Sequence, residues 1–160
     1  MMSGLSSPYL VELIGIQVSP LRMVLEYVPG RDLSEILHDQ SISNDQFSWT
    51  IRRKIAVDIA MGLYHLHECI NPPIMHRDLR SPNCFVLDLD INSSNVNCKV
   101  ADFGLAQRMY VTSSERLLTW QWMPPEVLDD SSPYDQRADI FSYGTVLWEI
   151  CSRAFPYDEY

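Results

Sequence analysis

No apolar run in the 160 residues reaches the ~18 that a membrane-spanning helix needs. The opening MMSGLSSPYL has no basic stretch leading into an apolar one, so no signal peptide is expected either. Positive charge is scarce: 12 basic against 21 acidic residues leave a net charge of −9, which counts against nucleic acid or an anionic membrane as main partner. The densest basic run, Arg52-Arg53-Lys54, falls inside a helical pattern and reads as a solvated face. Cys69, Cys84, Cys98 and Cys151 form no C-x-x-C pair and no zinc-ligand spacing, which points to buried or idle thiols in a reducing, cytoplasmic compartment. His65 and His67 lie two apart, and a helix sends such residues to different faces, so no metal role is expected there. Internal repeats and low-complexity tracts are absent.

What is there fits one globular domain. Hydrophobic residues at 46% and charged ones at 21% exclude disorder as the default state. LVELIGIQV at 10–18 and LRMVLEYV at 21–28 are apolar and β-branched around Ser19-Pro20, and predict a strand pair. Pro29-Gly30 ends the second strand, and RDLSEILHD suits a short helix. FSWTIRRKIAVDIAMGLYHLHE carries Ile51, Ile55, Ile59 and Leu63 at i+4, one buried helical stripe, with Ser48 as the expected N-cap. CFVLDLD and CKVADF flank the polar INSSNVN and predict a hairpin. DQRADIFSYGTVLWEICS returns to helical period through Ile140, Tyr143, Val146, Leu147 and Ile150.

The chemistry concentrates in IMHRDLRSPNCFVLDLD, residues 74–90. His76, Arg77 and Asp78 are followed by Leu79, and Asn83 comes next at a fixed distance. Asp102-Phe103-Gly104 lies just past the hairpin, and a Pro-Pro-Glu element at 124–126 follows a polar stretch. H-R-D-L-x-x-x-N, then D-F-G, then a Pro-Glu element is the ordered signature of a protein kinase. The spacing has a physical reason. Phosphoryl transfer asks the protein for positioning and charge neutralisation more than for covalent chemistry. Asp78 would orient the attacking hydroxyl and accept its proton. Asn83 would give magnesium a neutral oxygen, and Asp102 a carboxylate, a hard-donor set suited to Mg²⁺. Two readings of Arg77 stand: a bidentate receptor for a phosphate on the following loop, or a partner of Asp78. His76 reads as structural, near Phe103.

Over its whole length the chain resembles a eukaryotic protein kinase. That resemblance implies an α+β, protein-kinase-like but partial fold. Residues 1–28 would be the remnant of the small lobe and the hinge, and 29–160 an incomplete large lobe, together one partial domain. It implies ATP and Mg²⁺ as cofactors and a protein substrate. LRMVLEYVPGRDL is similar to the last small-lobe strand and hinge: Leu25 falls at the gatekeeper position, Glu26 and Val28 would meet adenine through the backbone, and Asp32 would meet the ribose. Phe85 would form the adenine floor. Gly104 belongs to the D-F-G element, and Asp139 matches the helix aspartate that braces the catalytic loop. HRDLRSPN, VADFGLAQ, QWMPPE and PYDEY together resemble the Roco kinases of the tyrosine-kinase-like group, which usually sit beside a Ras-like GTPase domain in the parent chain. Arg80 and WMPPE also occur in tyrosine kinases. Thr119, however, occupies the position where serine/threonine kinases carry a threonine bridging to the catalytic aspartate, which implies serine/threonine specificity. RMYVTSSERLL at 108–118 offers Thr112, Ser113 and Ser114 as phosphorylation sites, or is simply a solvated loop.

The resemblance is incomplete. The chain contains no G-x-G-x-x-G and no V-A-I-K lysine. Met2 and Leu13 would join an apolar spine with Phe103 and His76, and the large lobe's last helices, with the usual arginine partner of Glu126, are expected to be lacking. Two readings follow: a piece of an active kinase that is inactive by itself, or a truncated, non-catalytic module that binds or competes with a full-length kinase.

Overall fold

The computed structural model describes residues 6–92, 96–102, 119–129 and 135–158. Within them the architecture is α+β, as expected. β1 (Leu13–Val18) and β2 (Leu21–Leu25) form an antiparallel hairpin whose residues are almost all exposed. β3 (Arg31–Asp32), β4 (Cys84–Val86) and β5 (Cys98–Val100) make a second antiparallel sheet, in the order β3-β4-β5. The helices are α1 (Leu33–His38), α2 (Trp49–Tyr64), α3 (Pro125–Leu128) and α4 (Arg137–Ser152). A wider π-type turn, His65–Cys69, extends α2, and 3₁₀ turns occupy Ser81–Asn83 and Trp120–Trp122.

The core is built on α2. Ile51, Ile55 and Ile59 are fully buried and Leu63 nearly so, in line with the i+4 stripe. Each contributes about 1.5–3 kcal/mol by leaving water. They pack with Leu33, Leu37, Phe47, Leu79, Val86, Val100 and Val146 in one cluster. Ser48 stands at the N-cap of α2, but its side chain makes no capping bond. Gly30 has to be glycine: an added Cβ would lie 1.7 Å from the Val86 carbonyl oxygen, so the hinge exit can approach β4 only without a side chain.

Three expectations need correction. The first strand does not begin at Leu10. Tyr9 and Val11 instead bond to Val100, with Leu10 bridging it in parallel, and Leu10 and Val11 are buried. Arg52 is not on a solvated face. It is buried, and its guanidinium donates to the carbonyls of Phe47, Ile150 and Cys151 at 2.9–3.0 Å and to Asn44 Oδ1 at 2.7 Å. The last carbonyls of α4 carry the negative end of a helix dipole, which compensates the buried cation. The inner face of α4 is only partly the predicted one. Val146 and Ile150 are buried and Tyr143 packs against the core as expected, but Ile140 is 53% exposed. Ala138, Asp139, Ser142 and Glu149 take inner positions that a count of large apolar residues does not find.

Candidate active site

The loop from His76 to Asn83 is pinned from beneath by α4. Asp139, buried in the first turn of that helix, accepts the backbone N–H of His76 at Oδ2 and that of Arg77 at Oδ1, each at 2.8 Å. His67 Nε2 lies 2.7 Å from the same Oδ2 and donates to it. Burial works to raise the Asp139 carboxyl, but these donors outweigh it and hold the group below the usual carboxylate range. The anchoring stabilises a backbone that is strained: Arg77 has φ of 69°, in the left-handed region that costs a non-glycine residue about 1–2 kcal/mol.

His76 is fully buried, and its partners fix its tautomer. Nε2 lies 2.8 Å from the Ala101 carbonyl and so carries the hydrogen, while Nδ1 accepts the Asp78 backbone N–H at 3.3 Å. Burial pushes its pKa down against the pull of Asp139, so the neutral ring is the stable form. One imidazole therefore joins the loop holding Asp78 to the strand end holding Asp102. Phe103, the expected neighbour of His76, lies outside the described residues, as do Gly104 and Met2.

Asp78 itself is half-exposed, and its Oδ2 is held by two donors: Asn83 Nδ2 at 2.7 Å and Arg80 Nε at 3.2 Å. The Asn83 amide also donates to the Asp78 carbonyl at 2.7 Å, which commits its nitrogen and leaves Oδ1 with no partner among the described residues. Asn83 is itself fixed, since its carbonyl accepts the Ala101 N–H at 2.9 Å. Asp102 follows directly, exposed and with φ of 63°. One amide oxygen and one carboxylate thus stand on two segments that the Ala101–Asn83 backbone hydrogen bond joins. That is a hard, sparse donor set, and it fits Mg²⁺, which keeps several waters and few protein ligands. No group of three or more potential metal ligands occurs among the described residues.

Of the residues expected to meet the nucleotide, two stand on the β3–β4 pair. Asp32 and Phe85 are register partners across those strands. Asp32 also has a role that sequence reasoning missed: it is the N-cap of α1, and its Oδ1 accepts the Glu35 N–H at 2.8 Å. Glu26 commits its side chain to Lys99 at 2.5 Å and to the Glu12 N–H at 3.1 Å, so towards a ligand it can offer only backbone. Val28 is half-buried, and Leu25 is 42% exposed at the end of β2. Leu13, at the start of β1, is half-buried.

Thr119 stands at the N-cap position of the turn Trp120–Trp122 without a side-chain capping bond, and Glu126 is exposed in the first turn of α3, within electrostatic range of Arg137. Arg77 is exposed. Thr112, Ser113 and Ser114 lie outside the described residues. Sequence reasoning also missed Ser81, Trp122 and Glu149, a buried hydrogen-bonded group, and His67, which the HLH pattern brought up only as a metal ligand. No local signal marks the first three, because their partners are far away in sequence.

All of residues 1–160 match the family model described as protein tyrosine and serine/threonine kinase. Among curated proteins of Dictyostelium discoideum, the chain is 40% identical to a probable serine/threonine-protein kinase, qkgA, over 99% of the chain and 10% of that protein. It is 38% identical to the probable serine/threonine-protein kinase roco11, over 99% of the chain and 10% of that protein. Cyclic GMP-binding protein C is also 38% identical, over 99% of the chain and 6% of that protein. The chain therefore spans about a tenth or less of these relatives.

Proposed function

The chain belongs to the protein tyrosine and serine/threonine kinase family, and from that premise we propose that it holds the catalytic loop and metal-binding residues of a phosphoryl transferase acting on serine and threonine hydroxyls of proteins. The observation that carries this is the setting of Asp78. Its carboxylate is turned by Asn83 and Arg80 on a loop whose backbone Asp139 anchors. Asp78 accepts the hydroxyl proton as the acceptor oxygen bonds to the γ-phosphorus of ATP and the bond to the leaving ADP breaks. Asn83 Oδ1 and the Asp102 carboxylate would hold Mg²⁺, which would supply charge neutralisation for the phosphates. Phe85, Asp32 and the backbone of Glu26 and Val28 form the nucleotide side. Arg80 steadies Asp78, and Thr119, with relatives named serine/threonine kinases, supports that acceptor class.

Arg77, exposed beside the anchored loop, is the receptor for a phosphate on Thr112, Ser113 or Ser114. The Roco-named relatives support membership of the tyrosine-kinase-like group and a parent protein with a Ras-like GTPase domain, working in the cytoplasm. No helix among the described residues is long and apolar enough to cross a membrane. Because the 160 residues contain neither a glycine-rich loop nor its lysine, they do not turn over by themselves.

The deciding experiment compares wild type and Asp78→Asn in the full-length protein containing these residues, on matched serine, threonine and tyrosine peptides. Loss of about 10³-fold or more in kcat, with folding intact and tyrosine the poorest acceptor, is expected. Near-full turnover by Asp78→Asn would sink the mechanism, and equal rates on all three peptides the specificity.

A further inference from the structure

One fully buried carboxylate in α4 has no part in the chemistry above. Glu149 is 0% exposed, and it accepts two hydrogen bonds, from Ser81 Oγ at 2.6 Å and from Trp122 Nε1 at 2.7 Å. Both donors are neutral, and no salt bridge to Glu149 occurs among the described residues. One apolar side chain of similar volume would fill the space at lower cost, because a buried carboxylate without a cation keeps a large desolvation penalty. What the carboxylate supplies is direction. Its two bonds come from two different segments: Ser81 lies between Asp78 and Asn83 on the catalytic loop, and Trp122 ends the turn that Thr119 begins. Two helical turns earlier on the same face, Ser142 Oγ donates to the Trp122 carbonyl at 2.7 Å. The helix thus holds Trp122 by its backbone and its ring together.

We propose that Glu149 is a positioning residue that clasps the turn Thr119–Trp122 to the catalytic loop and so determines how the protein substrate is held against Asp78. This rests on the phosphoryl-transfer reading, which makes Asp78 the group the acceptor hydroxyl must meet. A shift of the turn by ~1 Å relative to the loop can cost about 100-fold in rate, since productive transfer needs a near-attack geometry. The nucleotide side does not share these bonds: Asp32 and Phe85 pair through β3 and β4, and Glu26 is tied to Lys99. Asn83, two residues from Ser81, keeps its own bonds to Asp78 and Ala101, so the main effect of Glu149 falls on the protein substrate rather than on ATP.

The test uses the full-length protein containing these residues, with Glu149→Ala, Glu149→Gln, Trp122→Phe and, as reference, Asp78→Asn. Glutamine can accept from Trp122 Nε1 and donate to Ser81 Oγ, so it keeps both joints. Alanine keeps neither, and Trp122→Phe loses one while retaining most of the ring volume. Peptide kcat/KM is expected to fall about 30-fold or more in Glu149→Ala and about tenfold in Trp122→Phe. ATP KM is expected to stay within about twofold of wild type, and Glu149→Gln within about threefold on both substrates. Hydrogen exchange of residues 119–129 should rise in Trp122→Phe and stay near wild type in Glu149→Gln.

Unchanged peptide kinetics in Trp122→Phe, equal losses for peptide and ATP, or failure of glutamine to rescue overturns the proposal. Unchanged exchange of 119–129 in Trp122→Phe overturns it as well, and that arm needs no activity. A wild type no more active than Asp78→Asn instead sinks the phosphoryl-transfer reading, and the substrate half of this one with it, while exchange still judges the clasp.

Discussion

Two buried carboxylates on α4, Asp139 and Glu149, titrate in opposite directions because of the donors they face. Asp139 accepts two backbone N–H groups and His67, and is held below the usual carboxylate range although burial opposes it. Glu149 faces only a serine hydroxyl and an indole N–H, and burial, which those two bonds only partly offset, pushes it up to about 7 from an ordinary 4.5. The sign of its linkage follows. Between 4.5 and about 7 the folded chain keeps a proton that the unfolded chain has released, so the contribution of Glu149 to stability falls as pH rises across that window. Glu149→Gln cannot titrate. The difference in unfolding free energy between wild type and this variant should therefore change by up to about 3 kcal/mol between pH 5 and pH 8, in the variant's favour at the higher pH. Urea melts across that range measure it, and parallel curves for the two proteins would show that Glu149 ionises normally. The residues proposed for the chemistry, Asp78, Asn83 and Asp102, could be singled out in the sequence because phosphoryl transfer constrains both type and spacing. Glu149 and Arg52 were not. Composition rules send such residues outward, and the carbonyls and hydroxyls that hold them inside come from segments far along the chain.

At the scale of elements, α2 was readable because its Ile51, Ile55, Ile59 and Leu63 repeat at the helical period, and the β4–β5 hairpin because a polar stretch separates two apolar runs. The start of β1 was not, since Leu10 and Val11 look like strand residues of the hairpin yet pair with β5. Periodicity identifies an element but not its neighbour. Gly30 carries such a contact, invisible locally: it brings the segment before β3 against Val86, next to Phe85, the proposed floor residue. In Gly30→Ala the new Cβ meets the Val86 carbonyl at 1.7 Å, and backbone has to move on one side or the other. Overpacking of this kind costs about 1–3 kcal/mol. The variant should lose about that much in denaturant unfolding and, if β3 and β4 line the nucleotide side as proposed, bind Mg-ATP more weakly in the full-length protein. Wild-type stability and affinity in Gly30→Ala would mean that the hinge exit is looser than the contact with β4 implies.

At the scale of the whole molecule, the described residues leave apolar surface open on the β1–β2 hairpin and on α4, among other places. β1 and β2 expose Ile14, Ile16, Leu21 and Val24, with Val18 at 84%. Separately, Phe141, Thr145 and Trp148 of α4 line a cavity of about 720 Å³ with Phe155 and Tyr157. Two strands with open edges are marginal by themselves and recruit further strands, and an exposed aromatic patch favours association. A net charge of −9 opposes that association but weakens as salt screens it. The 160 residues in isolation should therefore self-associate increasingly with ionic strength. They should also show no thermal shift with Mg-ATP, since Phe85, Asn83 and Asp102 would have to hold the nucleotide without a loop over its phosphates. Replacing Phe141 and Trp148 together by lysine and glutamate should raise the monomeric fraction in light scattering, because both side chains are exposed and far from Asp78 in the chain. A wild-type chain that stays monomeric at high salt, melts cooperatively and is stabilised by micromolar Mg-ATP would overturn this account and favour a minimal nucleotide-binding module.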